Sequence, residues 1–190
     1  MTMDAYDAIA RRVSTRAFQD RPVPRDTIAR LLEAAVRAPN HKLTEPWRFV
    51  VLTGGSRDRL AELRRAHRAA RFDDPAAPEA AKAIEKTWRE VRETPAFVAV
   101  LCAQSDDAVR REEDVASAWM ALQNLLTAAT AEGLGTYVRT GGILADPGVE
   151  ALVQLPAAFR LIALISLGYP AADDAPRRRT AAAQKTLWLD

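Results

Sequence analysis

The stretch VASAWMALQNLLTAATA, from Val115 to Ala131, carries no charge, and its reading decides what kind of fold the chain can adopt. Lipid and a protein interior both suit an uncharged helix. This run is short for a membrane span and includes Ser117, Gln123, Asn124, Thr127 and Thr130. It therefore reads as a helix buried inside a core or a subunit interface. Gly133-Leu134-Gly135 marks its exit, as glycine does at many helix ends.

Strand signals flank this helix. AFVAVLCA (Ala96–Ala103) is an apolar run of strand length, and FRLIALISLGYP (Phe159–Pro170) is hydrophobic on both faces, which predicts a central strand. WRFVVLT, closed by Gly54-Gly55, predicts another, and TYVRTGG a short strand or loop. MDAYDAIARR reads as a short helix. Asp26 precedes Ile28, Leu31, Leu32, Ala35 and Val36, an apolar stripe that predicts a helix to about Arg37, stopped by Pro39. Ser56 is read as the cap of a charged helix running to Arg71, followed by a second polar helix near Glu79 to Arg92. Both look peripheral, so Arg64 is expected to be solvated. Asp146-Pro147 opens one more helix. With no repeat and no low-complexity linker, residues 1–190 read as a single α+β domain with an extended tail from about 171 to 190, able to reach a partner.

Composition narrows the function. A chain of 190 residues that is 48% hydrophobic and 27% charged is an ordinary globular protein with room for a sizeable core. A net charge of +2 is too mild for a nucleic-acid binder but leaves small anionic ligands open. The sole cysteine, Cys102, lies in an apolar strand, reads as a small buried hydrophobe, and points to a reducing cytoplasm. MTMDAYDA lacks the basic start and apolar stretch of a secretory leader, so no leader and no membrane attachment are expected. His41 and His67 are not spaced as metal ligands, and no metal is expected. No dinucleotide fingerprint, phosphate-binding loop or nucleophile elbow appears. Many anion donors remain, with no obvious catalytic acid or base. That pattern is expected when a bound cofactor carries the chemistry.

The donors fall in four places. IARRVSTRAFQD (Ile9–Asp20) packs Arg11, Arg12 and Arg16 around Ser14 and Thr15. VRAPNHKLTEPWRF (Val36–Phe49) places Arg37, Asn40, His41 and Lys42 around Pro39, YVRTGG supplies Arg139, Thr140 and glycine backbone, and PRRRT (Pro176–Thr180) adds arginines in the tail. Together with QNLLTAATAEGLGT and LGYPA, and in this order over nearly the whole chain, these segments resemble the nitroreductase-like flavoprotein family, specifically its short members. The segment RAPNHKLTEPWRF carries the resemblance most specifically.

The resemblance implies a nitroreductase-like fold: a central mixed β-sheet surrounded by helices, with the long central helix at a homodimer interface. It also implies FMN, bound without a covalent link. Arg11, Arg12, Ser14 and Arg16 would contact its phosphate, ribityl chain and pyrimidine edge, with Val13 contributing backbone only. Guanidiniums suit phosphate bidentately, and a cation near flavin N1 and O2 stabilises negative charge on the reduced ring. Arg11 is equally well read as a last-turn cation on the helix dipole. Arg37, Pro39, Asn40 and His41 would reach the flavin bound mainly by the other subunit. Val138, Arg139, Thr140 and Gly141 would bring backbone amides to N5 and O4, a solvated side chain being the other reading of Arg139, and Arg177 and Arg179 would grip the phosphate, a solvated charge run being the other reading of that tail. Trp47 and Trp119 read as core aromatics. Leu43 and Glu45 depart from the family's usual residues, which bears on the acceptor rather than on FMN.

The implied function is an FMN-dependent NAD(P)H oxidoreductase. Hydride passes from NADH or NADPH to FMN, and the electrons then pass to a nitroaromatic, quinone or similar small electrophile in ping-pong order. No side chain is expected to be catalytic. A low-turnover flavin carrier or sensor is the alternative.

Overall fold

The structure, a computed structural model, describes residues 3–172, 175–176 and 178–189. In chain order the main elements are α1 (Ala5–Arg11), α2 (Arg25–Ala35), β1 (Trp47–Leu52), α3 (Gly54–Ala69), α4 (Pro78–Arg92), β2 (Ala96–Ala103), α5 (Ala108–Ala131), β3 (Gly135–Arg139), α6 (Pro147–Leu152) and β4 (Phe159–Gly168). The strands lie in the order β1-β2-β4-β3. The strand read as hydrophobic on both faces, β4, is interior, flanked by β2 and β3. All three pairings are antiparallel. Among the described residues, the parallel character of a mixed sheet is present only in an isolated bridge between Ser14 and Thr136.

Side chains alternate across each strand, so the sheet has two apolar faces and needs cover on both. One face, with Val98, Val100, Ile165 and Leu167, packs against Leu31 and Ala35 of α2 and Ala118, Leu122 and Leu125 of α5. The other, with Phe97, Ala99, Leu101 and Leu164, packs against Leu60 and Ala61 of α3, Val91 of α4 and Val149 of α6. Trp47 belongs to the first core and is 8% exposed.

Three readings from sequence are corrected here. The central helix begins before its uncharged part, at Ala108, because the Asp107 carboxylate accepts from the N–H groups of Val109 and Arg110 and caps a charged first half. In α3 the cap residue is Thr53, and Ser56 sits three residues inside, where its Oγ accepts from the Thr53 N–H at 3.0 Å. Trp119 is not a core residue of the protomer. It is 37% exposed beside Met120 at 40%, on an α5 face shared with exposed Ala116 and Gln123, opposite the face that packs on the sheet.

The N-terminal basic segment is stitched to the sheet at both ends. Thr15 N–H donates to the Thr136 carbonyl at 2.9 Å, Gln19 N–H to Tyr169 at 2.9 Å, and Ala171 N–H to Ala17 at 3.0 Å. Residue 135 has to be glycine for this: a Cβ there would stand 2.6 to 2.7 Å from Oγ1, Cβ and Cγ2 of buried Thr15. The segment following α1 is thereby held along the free edge of β3.

Candidate functional site

That edge is one wall of a cleft of about 650 Å³. The end of α1 and the stitched segment bring Arg12, Val13, Ser14 and Arg16 to it, β3 brings Tyr137 and Val138, and the tail brings Pro176 and Arg179. No carboxylate stands among the described lining residues. Arg12 is the C-cap residue of α1, its N–H donating to the Ala8 carbonyl at 3.1 Å, so helix termination itself aims this side chain. Arg11, one residue earlier, lines no part of the cleft. It is exposed and stands 4.0 Å from Asp7 on the same helix, as the dipole reading has it. Arg177 lies outside the described residues.

Arg139 is not solvated. Its side chain is 11% exposed, with Nε donating to the Ser166 hydroxyl at 3.0 Å and Nη1 standing 3.8 Å from Glu90. Strand alternation explains this: Arg139 and Tyr137 project together, whereas Val138 packs against the α2/α5 core. Burial pushes the Arg139 pKa below the usual arginine range, with Glu90 opposing. Thr140 and Gly141 follow, both exposed, and Gly141 takes φ 98°, open to glycine and strained for other residues. His67 of α3 supports this turn: an added Cβ on Gly142 would stand 3.6 Å from its ring, and its Nδ1 lies 3.6 Å from the Asp146 carboxylate. Asp146 also caps α6, accepting from Gly148 and Val149. The part played by His67 was not read from the sequence, where it stood isolated in a charged helix.

The structure does not bring Arg37, Pro39, Asn40 and His41 to this cleft. They follow α2, and His41 borders a separate cleft of about 630 Å³ beside Asp107, Arg110 and Glu113 at the start of α5. Arg37 and Pro39 are exposed. The loop is held from below by Asp114, a buried carboxylate that accepts from the Thr44 hydroxyl at 2.6 Å and stands 3.7 Å from Arg110. Asn40 closes it from within, its Oδ1 accepting from the Glu45 N–H at 2.9 Å. Lys42, Leu43 and Glu45 take φ values of 53°, 52° and 43°, a left-handed conformation unusual for such residues. Leu43 is 82% exposed at its tip. Neither Thr44 nor Asp114 was singled out from sequence, and no local signal pairs residues so far apart in the chain.

An α+β fold whose basic cleft runs along an edge strand, with a second, strained loop set apart from it, defines a class of ligand-binding proteins rather than one activity. Comparison with known proteins assigns the family. The sequence pattern of the nitroreductase family matches residues 9–169, and the chain belongs to that family. The Bacillus subtilis (strain 168) protein YfhC, provisionally named an NAD(P)H nitroreductase, is 33% identical over 177 residues, covering 92% of this chain and 88% of that protein. A nitroreductase-like family protein from Bacillus cereus superposes with a TM-score of 0.84 at 26% identity, over 100% of this chain and 98% of that one. A provisionally named nitroreductase from Desulfovibrio desulfuricans, solved in complex with FMN, gives a TM-score of 0.74 at 26% identity, over 100% and 99% of the two chains.

Proposed function

We propose that this protein is an FMN-dependent NAD(P)H oxidoreductase of the nitroreductase type, working as a homodimer. The observation that carries the reading is the cleft along β3, where Arg12, Arg16 and Arg179 meet Ser14 with no carboxylate among the described lining residues. Its volume lies within the range of cofactor pockets, and its donors suit a phosphate at one end and a polar ring edge at the other. Arg12, Ser14 and Arg179 would hold the phosphate, with Arg177, outside the described residues, as a further candidate from sequence. Arg16 and the backbone of Val13 would hold the ribityl chain and the pyrimidine edge. Thr140 and Gly141 follow β3 outside the described lining of the cleft, and their N–H groups would hold the N5 and O4 edge, at a turn that His67 and the Asp146 cap support. Val138 lines the same wall, and Arg139 would contribute through its backbone alone.

The chemistry that FMN supplies when bound is two-electron transfer, from a nicotinamide hydride to a nitroaromatic, quinone or similar small electrophile in ping-pong order. The chain's own part is binding, orientation and charge. Cations along the pyrimidine edge favour negative charge there, and no side chain is assigned a catalytic proton.

What one protomer leaves uncovered supports the dimer. Ala116, Trp119, Met120 and Gln123 form an exposed face on the longest helix, and Leu187, Trp188 and Leu189 are 80 to 86% exposed in the tail. A second copy laid on α5 covers that face isologously and carries its own Arg37, Pro39, Asn40 and His41 toward the first copy's cleft. Each site is then built from two chains. The test is the visible spectrum of the purified protein. A flavin band near one FMN per chain should bleach on anaerobic addition of NADH or NADPH and return with an acceptor. Colourless protein that takes up no added FMN overturns the reading. A band that no nicotinamide bleaches shows a flavin carrier instead.

A further inference from the structure

Behind the Tyr137 wall of the cleft lies a group of cations with too little negative charge around it. The Tyr137 ring has the Arg16 guanidinium 5.0 Å from its centroid and that of Arg139 at 4.9 Å. Arg139 spends its Nε on the neutral Ser166 hydroxyl and meets Glu90 only at 3.8 Å, beyond hydrogen-bond range. Arg64, on α3, is close enough for Arg139 and Arg68 to disfavour its charge, and its Nε is buried without a hydrogen-bond partner among the described residues. Among the described residues, Glu90 is the one carboxylate within 4.0 Å of Arg139, and none stands that close to Arg64.

A guanidinium does not escape this by losing its proton. A buried donor left unpaired is costly, and a surplus of buried cations is more so. Oxyanions relieve both, since carboxylate and phosphate match the guanidinium fork. The place is reachable: Arg16 is exposed and Arg64 and Arg68 are partly so.

We propose that Arg64 and Arg139, with Arg16, form an oxyanion subsite that shares the Tyr137 wall with the main cleft and receives a carboxylate or phosphate group of a reactant. That role rests on the flavin reading of the cleft, whereas the subsite itself does not. Glu90 tempers the subsite, holding part of the positive charge in check when no anion is bound.

The experiment titrates the protein as purified with inorganic phosphate at constant ionic strength, followed by calorimetry. The parent should bind saturably. Arg64→Met should weaken binding about tenfold or more, the loss of one charge-assisted contact. Glu90→Gln should tighten it several-fold, a gain that a damaged fold does not produce. No binding by the parent, equal binding by Arg64→Met, or weaker binding by Glu90→Gln overturns the proposal. An Arg12→Glu variant separates the two sites: phosphate binding that follows Arg12 and ignores Arg64 belongs to the main cleft and also overturns it. If the protein holds no flavin yet the Arg64 and Glu90 effects stand, the flavin reading fails and the subsite survives. KM values then identify the source of the anion. Loss in Arg64→Met of a preference for 4-nitrobenzoate over nitrobenzene assigns a carboxylate on the acceptor. Loss of a preference for NADPH over NADH assigns the ribose phosphate. Retention of both preferences removes the subsite from the reaction.

Discussion

Replacing Gly135 with alanine should damage the fold and the cofactor site together. The new methyl carbon would stand 2.6 Å from Thr15 Oγ1 and 2.7 Å from Thr15 Cβ and Cγ2, where carbon atoms ordinarily rest roughly 3.5 to 4.0 Å apart. Because Thr15 Cβ is itself among the three, turning the side chain to another rotamer brings no relief. Backbone has to move, yet Thr15 is bonded to Thr136 and Gly135 lies opposite Gly168 in β4. Overpacking of this kind costs about 1–3 kcal/mol. For a chain of this length each kcal/mol lowers Tm by about 2–4 °C, so the melting temperature should fall by about 2–12 °C. The strain falls on the segment that aims Ser14 and Arg16, so FMN affinity, titrated by flavin fluorescence quenching below the melting range, should drop as well. Thr15→Gly opens the same space, and adding Gly135→Ala to it should cost nothing further, a coupling of opposite sign to the single-variant loss. A Gly135→Ala protein with parental Tm and flavin affinity refutes the close approach. A penalty unchanged in the Thr15→Gly background refutes its attribution to Thr15.

Four other outcomes are expected. Arg12→Glu should weaken FMN binding by about 2 kcal/mol or more, against a few tenths for Arg65→Glu on the solvated side of α3; equal losses in a flavin titration return Arg12 to a helix-end charge. Arg12→Glu and Arg37→Glu homodimers should both be flavin-poor, and a heterodimer of the two, with both defects in one site, should hold about half the parental FMN by two-fold symmetry; content no higher than in the homodimers argues for sites built within one chain. Asp146→Ala removes a cap that accepts from Gly148 and Val149 and should cost about 0.5–2 kcal/mol by denaturant titration. Burial pushes the Cys102 thiol from 9.0 up to about 11, so unfolding frees a more acidic group than folding keeps: the stability it contributes is whole below about pH 9 and lost as pH climbs toward 11, and Cys102→Ala should flatten that part of a stability profile.

What the sequence disclosed was mostly local. The two-faced apolar run Phe159–Pro170 identified an interior strand because burial on both faces leaves no polar alternation. The glycine-bounded exit of the long helix was equally plain. Strand direction was not, since pairing depends on connections that the residues of a strand do not encode. Trp119 shows a related limit: helical spacing reveals an apolar face but not whether the chain's own sheet or a second copy covers it. Arg64 shows the opposite failure. Its neighbours are charged, so α3 read as a solvated helix there, yet its Nε is buried by packing that the helix's own sequence does not encode. Of the basic residues grouped from sequence, Arg12, Arg16 and Arg179 meet in one cleft. His41 stands at another, an arrangement that a linear reading of motifs has no means to express.

The stitching of residues 14 to 19 onto Thr136 and Tyr169 has a consequence for synthesis. The basic segment leaves the ribosome well before the strand that orders it, which follows more than a hundred residues later. At about 5–20 residues per second, the wait lasts roughly 6–25 s. Until β3 and the end of β4 have emerged, Arg12, Ser14 and Arg16 have nothing to align them. A nascent chain cannot capture flavin early and fold around it. Flavin capture waits for Tyr169, and C-terminal truncations that stop before it should leave the N-terminal arginines without affinity for flavin.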